Sequence, residues 1–117
     1  MFRSVKNDRL FFDGVDMVEL AKKYGTPLYV YSENDIISRF EDLRKNFVEK
    51  YDRVRVAYAA KAFFPLAMAK LVDGCGMCVD VVSGGELYTA IKAGFPAEKI
   101  EFNGNNKSIK ELEMAVE

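Results

Sequence analysis

The chain has 117 residues, of which 50% are hydrophobic and 30% are charged, enough for one small domain with its own apolar core. Its 17 basic and 18 acidic residues give a net charge of −1, so no large positive field attracts nucleic acid or an anionic membrane surface. Histidine is absent, which excludes serine–histidine and cysteine–histidine catalysis and histidine-containing zinc sites within this chain. No apolar run approaches the ~20 residues of a membrane-spanning helix or forms a signal-peptide core, so we expect a cytoplasmic protein that binds no membrane.

The first part of the chain predicts a strand, a helix and a second short strand. Residues 10–12 are an apolar run typical of a strand. Asp16, followed three positions later by Glu19, is a capping-box pattern and predicts a helix that ends at Gly25. Residues 28–31, with the sequence LYVY, predict another short strand.

A longer helix is predicted to begin at residues 32–35, where SEND supplies the residue types that favour helix starts. Apolar side chains then recur at helical spacing, which predicts one buried face. That face carries Ile36, Phe40, Leu43, Phe47 and Tyr51.

Three strand–helix units follow. Strands are predicted at residues 54–59, 78–82 and 100–103, and helices at about 65–72, at 84–93 and from Ser108 onwards. Continuous apolar runs suit strands that are buried on both faces, and alternating strands and helices imply parallel pairing through right-handed crossovers. This periodicity fits the first part of a (β/α)8 barrel and equally an open doubly wound sheet.

Lys61 follows the apolar run of residues 54–59, so it is predicted to close a buried strand with apolar walls around its amine. Such surroundings favour the neutral amine, which can attack an aldehyde. On the lysine alone, a solvated surface residue is the simpler interpretation. Two downstream segments reverse that balance: residues 79–87 read VDVVSGGEL, and residues 102–108 read FNGNNKS.

Together with YAAKAF at residues 58–63, these segments resemble the pyridoxal-phosphate decarboxylases built on an alanine-racemase-like barrel, and most closely their diaminopimelate branch. The resemblance implies an α/β fold. Residues 32–117 would be the first, incomplete part of a (β/α)8 barrel, and residues 1–31 a leading strand and helix that contribute to a second, β domain. It also implies an amino-terminal fragment, because the family's glycine-rich phosphate loop and the glutamate that pairs with the pyridine nitrogen come later.

The resemblance makes Lys61 the catalytic residue that attaches pyridoxal 5'-phosphate. Asp80 and Glu86 match acidic positions near that lysine in related decarboxylases, and Ala59 becomes a packing contact beneath the cofactor. Glu86 has a structural alternative, because it also completes a capping pattern that begins at Ser83. Asp80, within a strand predicted to be buried, needs a partner for its carboxylate.

The implied function is decarboxylation of meso-diaminopimelate to L-lysine in lysine biosynthesis, by a full-length homodimer with a small amino-acid substrate. Residues 1–117 alone are expected to be inactive. Two alternatives stay open: a decarboxylase of ornithine, arginine or a related amino acid on the same fold, and a non-catalytic pyridoxal-phosphate-binding barrel.

Cys75 and Cys78 form a C-x-x-C pair, which raises a third interpretation, a small redox or metal module. A structural zinc site usually needs four ligands, and the chain has no second cysteine pair. A redox pair usually stands at the start of a helix, whereas this pair precedes a predicted strand. We therefore predict that Cys75 lies in a turn, that Cys78 packs in the sheet, and that neither binds a metal.

Overall fold

The computed structural model describes residues 2–117, which divide into two compact units between Arg44 and Lys45. The division that the sequence suggests, between residues 31 and 32, concerns the domains of a longer family fold and stays a prediction. Within residues 2–117, every helix is too short or too polar to cross a lipid bilayer.

The first unit begins with a three-stranded antiparallel sheet in the order β1-β2-β3. β1 (Arg3–Lys6) and β2 (Arg9–Phe12) are joined by a two-residue turn at Asn7 and Asp8, whose φ angles are 50° and 59°. Asparagine and aspartate tolerate this left-handed backbone, which hairpin turns require. β3 (Val15–Asp16) pairs with β2. The apolar pattern predicts only β2, because β1 is fully exposed and β3 has two residues.

α1 (Met17–Tyr24) begins and ends where the sequence predicts. The carboxylate of Asp16 accepts a hydrogen bond from the backbone amide of Glu19 at 3.2 Å, and the helix stops at Gly25, whose φ is 83°. The Glu19 carboxylate pairs with Arg9 at 2.6 Å. The hydrogen bond from Arg9 lowers the pKa of Glu19. It also joins α1 to β2, because Arg9 belongs to that strand.

Residues 28–31 form no strand among residues 2–117, so this prediction is wrong. They follow a cis peptide bond between Thr26 and Pro27, and all four are exposed, Tyr29 to 87%. A strand needs a neighbour for its backbone hydrogen bonds, and neither described sheet supplies one to this segment.

α2 (Glu33–Asn46) begins after Ser32, whose hydroxyl oxygen accepts a hydrogen bond from the amide of Asp35 at 3.0 Å. The predicted buried face is wrong, because no residue of α2 is buried. The helix also ends before Phe47 and Tyr51, whose rings pack against each other with centroids 5.3 Å apart. Helical spacing shows which face of a helix is apolar, but it does not show that another element covers that face.

In the second unit, three parallel strands pair in the order β4-β5-β6, with a helix after each, as predicted. The strands are β4 (Ala57–Ala59), β5 (Cys78–Val81) and β6 (Ile100–Phe102). The helices are α3 (Leu66–Gly74), α4 (Gly84–Ala93) and α5 (Ile109–Val116). Single 3-10 turns span Val48–Lys50, Ala60–Ala62 and Ala97–Lys99. β4 is shorter than predicted, since residues 54–56 lie outside it.

The core of the second unit lies around β5 and the two helices that flank it in sequence. Val79 and Val81 of β5, Val72 of α3 and Ala90 of α4 are completely inaccessible to solvent. α3 and α4 also pack on each other. This core holds β5 as the central strand of the sheet. The candidate site lies at the carboxyl ends of the three strands.

Candidate functional site

The carboxyl ends of the three parallel strands lie in register. Ala59 of β4 pairs with Asp80 of β5, and Asp80 pairs with Glu101 of β6. Because parallel strands finish at the same edge of a sheet, the segments that leave these strands emerge side by side. Those segments carry Lys61, Ser83 and Asn103.

Lys61 lies in the 3-10 turn Ala60–Ala62, directly after β4. Ala60 takes the buried position of this turn at 3% exposure, whereas Lys61 is exposed. The prediction that apolar walls surround the amine is therefore wrong for the described residues. The reason is that the chain leaves the sheet at Ala59, so Lys61 stands above the strand end and not within it.

The Lys61 turn is tied to its own strand by Tyr58. The hydroxyl of Tyr58 donates a hydrogen bond to the carbonyl oxygen of Phe63 at 2.9 Å, and its ring stacks on Phe64 with centroids 6.4 Å apart. The sequence does not predict this hydrogen bond, because residue spacing alone does not show where a tyrosine hydroxyl lies.

Asp80 carries a buried carboxylate oxygen, Oδ1, that has no hydrogen-bond partner in residues 2–117. Within the same residues, neither an ion pair nor a hydrogen bond joins Lys61 to Asp80 or to Glu86. A buried carboxylate oxygen without a donor is costly, so a native structure supplies one. Asp80 Oδ1 is therefore an acceptor at the Lys61 end of the sheet, next to Ala59, that a bound group can satisfy.

Glu86 lies in the first turn of α4 and caps the end of β5. Its Oε2 accepts a hydrogen bond from the amide of Val82 at 2.7 Å, while the hydroxyl oxygen of Ser83 accepts one from the amide of Glu86 at 3.3 Å. Glu86 thus has the structural role that the capping pattern suggests, although the amide that it satisfies belongs to Val82 and not to Ser83. A direct contact of Glu86 with a cofactor stays a prediction.

Glu111 joins α5 to α4, and the sequence analysis did not single it out. Its Oε1 accepts a hydrogen bond from the amide of Gly84 at 2.9 Å, and its Oε2 accepts two from Ser108, from the amide and the hydroxyl, each at 2.9 Å. The bonds from the Ser108 and Gly84 amides lower the pKa of Glu111. The capping pattern of Ser108 and Glu111 is visible in the sequence, but the reach to a glycine 27 residues away is not.

Both cysteines occupy the predicted places. Cys75 is half-buried at the end of α3, and Cys78 is 6% exposed as the first residue of β5. Within residues 2–117, neither cysteine forms a disulfide bond. Among residues 2–117, no group of three or more acidic, cysteine or histidine side chains is arranged to hold a metal ion.

Similarity to known proteins identifies the family of this chain. A family model described as "Pyridoxal-dependent decarboxylase, pyridoxal binding domain" matches residues 33–117. The chain belongs to the pyridoxal-dependent decarboxylase family. The diaminopimelate decarboxylase of Bacillus subtilis (strain 168) is 51% identical over 115 residues, which cover 98% of this chain and 26% of that protein.

Two solved structures are also similar to this member of the family. The crystal structure of a protein from Aquifex aeolicus superposes with a TM-score of 0.89 at 46% identity, covering 98% of this chain and 28% of that one. The crystal structure of diaminopimelate decarboxylase from M. jannaschii in co-complex with L-lysine superposes with a TM-score of 0.89 at 42% identity, covering 97% and 27%. The chain thus spans about a quarter of the length of the relatives that it matches.

Family membership confirms the predicted fold class. The chain is α/β, and its three parallel strand–helix units form the amino-terminal part of a (β/α)8 barrel, preceded by β1–β3 and α1. The open doubly wound sheet, which periodicity alone allowed, is excluded.

The residues at the sheet edge fit pyridoxal phosphate, the predicted cofactor, which the family implies. Lys61 supplies an exposed primary amine for covalent attachment, and the unpartnered Oδ1 of Asp80 supplies an acceptor for a donor that residues 2–117 lack. Ala59, the partner of Asp80 in the sheet, carries only a methyl group.

Proposed function

We propose that this chain is the cofactor-attaching part of a diaminopimelate decarboxylase, which converts meso-diaminopimelate to L-lysine and carbon dioxide in lysine biosynthesis. The observation that carries the proposal is the pairing of Ala59 with Asp80, which sets the buried, unpartnered Oδ1 of Asp80 at the strand end that Lys61 follows. The activity is proposed for the complete gene product, because the chain spans about a quarter of its relatives' length.

Each residue has a distinct proposed role. Lys61 Nζ is the attachment group for the cofactor and, when not attached, a carrier for a proton. Asp80 Oδ1 accepts a hydrogen bond from a nitrogen or hydroxyl at the site and favours the protonated form of that neighbour. Pyridoxal phosphate, when bound, supplies the electron-accepting ring on which loss of carbon dioxide depends. Ala59 limits how deeply the ring sits, and Glu86 holds the turn between β5 and α4.

The choice of substrate is supported by the relatives. Proteins named diaminopimelate decarboxylase match nearly the whole chain, and one solved relative is described in co-complex with L-lysine, the product of the proposed reaction. The family model covers pyridoxal-dependent decarboxylases in general, so it does not by itself separate diaminopimelate from ornithine or arginine. A homodimeric assembly and a cytoplasmic location are part of the proposal and rest on the sequence alone.

The test measures carbon dioxide release by the complete gene product, supplied with pyridoxal phosphate and with meso-diaminopimelate, ornithine or arginine in turn. We expect release from meso-diaminopimelate and little from the other two. In parallel, borohydride reduction followed by peptide mass spectrometry should find the cofactor fixed to Lys61. Lys61→Ala should lose both signals, whereas Lys70→Ala, which removes an exposed lysine of α3, should keep both.

Two results would contradict the proposal in different ways. Faster release from ornithine or arginine would move the protein to another branch of the family while Lys61 kept its role. Cofactor fixed to another lysine, with Lys61 unmodified, would remove Lys61 from the site.

A further inference from the structure

We propose that Tyr58 is a positioning residue for Lys61, and that its hydroxyl sets how readily the cofactor attaches to that lysine. The inference rests on the proposed role of Lys61 and adds a second residue to the same site. Its basis is the hydrogen bond from the Tyr58 hydroxyl to the carbonyl oxygen of Phe63, 2.9 Å long, which spans the turn that carries Lys61.

The Lys61 turn also packs against β5. It consists of three residues, and only Ala60 is buried, at 3% exposure. α3 follows without a side-chain hydrogen bond at its cap residue, Pro65. The placement of Lys61 Nζ therefore depends on how firmly the backbone on either side of the turn is held.

Tyr58 is well suited to hold that backbone. It belongs to β4 and pairs there with Val79, which is completely buried in the central strand. Its ring stacks on Phe64 at an interplanar angle of 30°. A strand-mounted, stacked ring has few positions open to it, so its hydroxyl is a rigid anchor for the Phe63 carbonyl at the far side of the turn.

Losing the anchor affects attachment more than folding. The ring would still pack after removal of the hydroxyl, and the Phe63 carbonyl would exchange one hydrogen bond for another with water. The turn would then sample more positions, and a reacting amine that is displaced by about 1 Å reacts markedly more slowly. The hydroxyl therefore acts through Lys61 and needs no contact with cofactor or substrate.

The experiment compares four forms of the complete gene product: unchanged, Tyr58→Phe, Tyr88→Phe and a form with 4-aminophenylalanine at position 58. Tyr88 is an exposed tyrosine of α4 and gives a matched control for the same chemical change. The rate at which added pyridoxal phosphate attaches to Lys61 is followed by absorbance, and by borohydride fixation with peptide mass spectrometry. Circular dichroism melting checks the fold of each form.

We expect Tyr58→Phe to slow attachment to Lys61 about fivefold, the loss that one neutral hydrogen bond typically causes. Tyr88→Phe should attach at the unchanged rate. The 4-aminophenylalanine form restores an N–H donor at the same ring position and should recover most of the rate, which a loss of packing alone would not allow.

Equal attachment rates in the unchanged and Tyr58→Phe forms would overturn the proposal, as would failure of the restored donor to recover the rate. A Tyr58→Phe form that does not fold would make Tyr58 a structural residue and would also overturn it. Each result differs from failure of the proposed function, in which Lys61 is not the labelled residue in any form.

Discussion

The backbone amide of Gly84 donates a hydrogen bond to Glu111 Oε1 at 2.9 Å, so a carboxylate of α5 closes the amino end of α4. A helix amino end carries partial positive charge and unpaired amides, and it commonly attracts an anion. Here the protein supplies that anion itself. Gly84 at this helix start therefore serves the contact between two helices.

The first prediction concerns the pH dependence of this bridge. Hydrogen bonds from Ser108 and Gly84 lower the pKa of Glu111 below its ordinary value of 4.5. A carboxyl group with a lowered pKa in the folded state contributes stability above about pH 4.5, and loses that contribution as the pH falls through the folded value. Glu111→Gln should therefore lower the melting temperature at pH 7, and the difference should shrink as the pH falls towards 3.

Glu113→Gln is the matched control, since Glu113 is an exposed residue of the same helix. It should melt like the unchanged protein across this pH range. A difference between Glu111→Gln and the unchanged protein that stayed constant from pH 7 to pH 3 would contradict a charge-dependent bridge.

The second prediction compares two neighbouring glycines. A methyl group on Gly84 would lie 3.2 Å from Cγ of Glu111, whereas a methyl group on Gly85 would meet nothing closer than Ser83 Oγ at 3.9 Å. Alanine favours a helix over glycine by roughly 0.5–1 kcal/mol. Gly85→Ala should therefore raise the free energy of unfolding. In Gly84→Ala, the contact of the new methyl group with Glu111 should cancel or exceed this stabilisation. Urea denaturation of both variants measures this, and equal stabilisation would contradict it.

The third prediction concerns the two cysteines, Cys75 and Cys78. Cys78 is buried in β5 and Cys75 is half-buried at the end of α3, so Cys78→Ser should destabilise the protein by about 1–3 kcal/mol and Cys75→Ser by less. The double variant should contain as much zinc as the unchanged protein, as measured by atomic emission. Stoichiometric zinc that disappears with the double change would establish a metal site and contradict the packing role.

The fourth prediction concerns residues 1–117 as an isolated polypeptide. Among residues 2–117, β4 and β6 each pair with β5 alone, so each presents an open edge, and α5 exposes Ile109, Leu112 and Val116. Open strand edges and uncovered apolar faces favour association. Sedimentation velocity should therefore show self-association, and a carbon dioxide assay should show no decarboxylation of meso-diaminopimelate. A monomer that turns over this substrate at ordinary enzyme rates would contradict both expectations.

The sequence predicted best where local chemistry decides the structure. The bounds of α4 follow from Ser83 before it and Gly94 after it, and the start of α5 follows from Ser108 and Glu111, so all of these were predictable. The sequence predicted poorly where the structure depends on whether another strand or helix packs against a segment. Residues 28–31 have the composition of a strand, but neither sheet in the described part of the chain pairs with them, and the apolar face of α2 has no buried residue.

The candidate site divides in the same way. Lys61, Asp80 and Ala59 were identified through family resemblance, and their common edge follows from parallel pairing of β4 with β5. The exposure of Lys61 could not be predicted, because it depends on the chain leaving the sheet at Ala59 and on Ala60 taking the buried position of the turn. The hydrogen bond of Tyr58 and the reach of Glu111 depend on tertiary geometry, which residue spacing does not encode.

The strand order β4-β5-β6 follows the order of the chain. β5 and β6 therefore each pair with the strand synthesised just before them, so each closure spans a single strand–helix unit. Lys61 and Asp80 lie nineteen positions apart, so both are in place as soon as β5 has been made and has paired with β4. On a translating ribosome, which adds about 5–20 residues each second, Asp80 is added within a few seconds of Lys61.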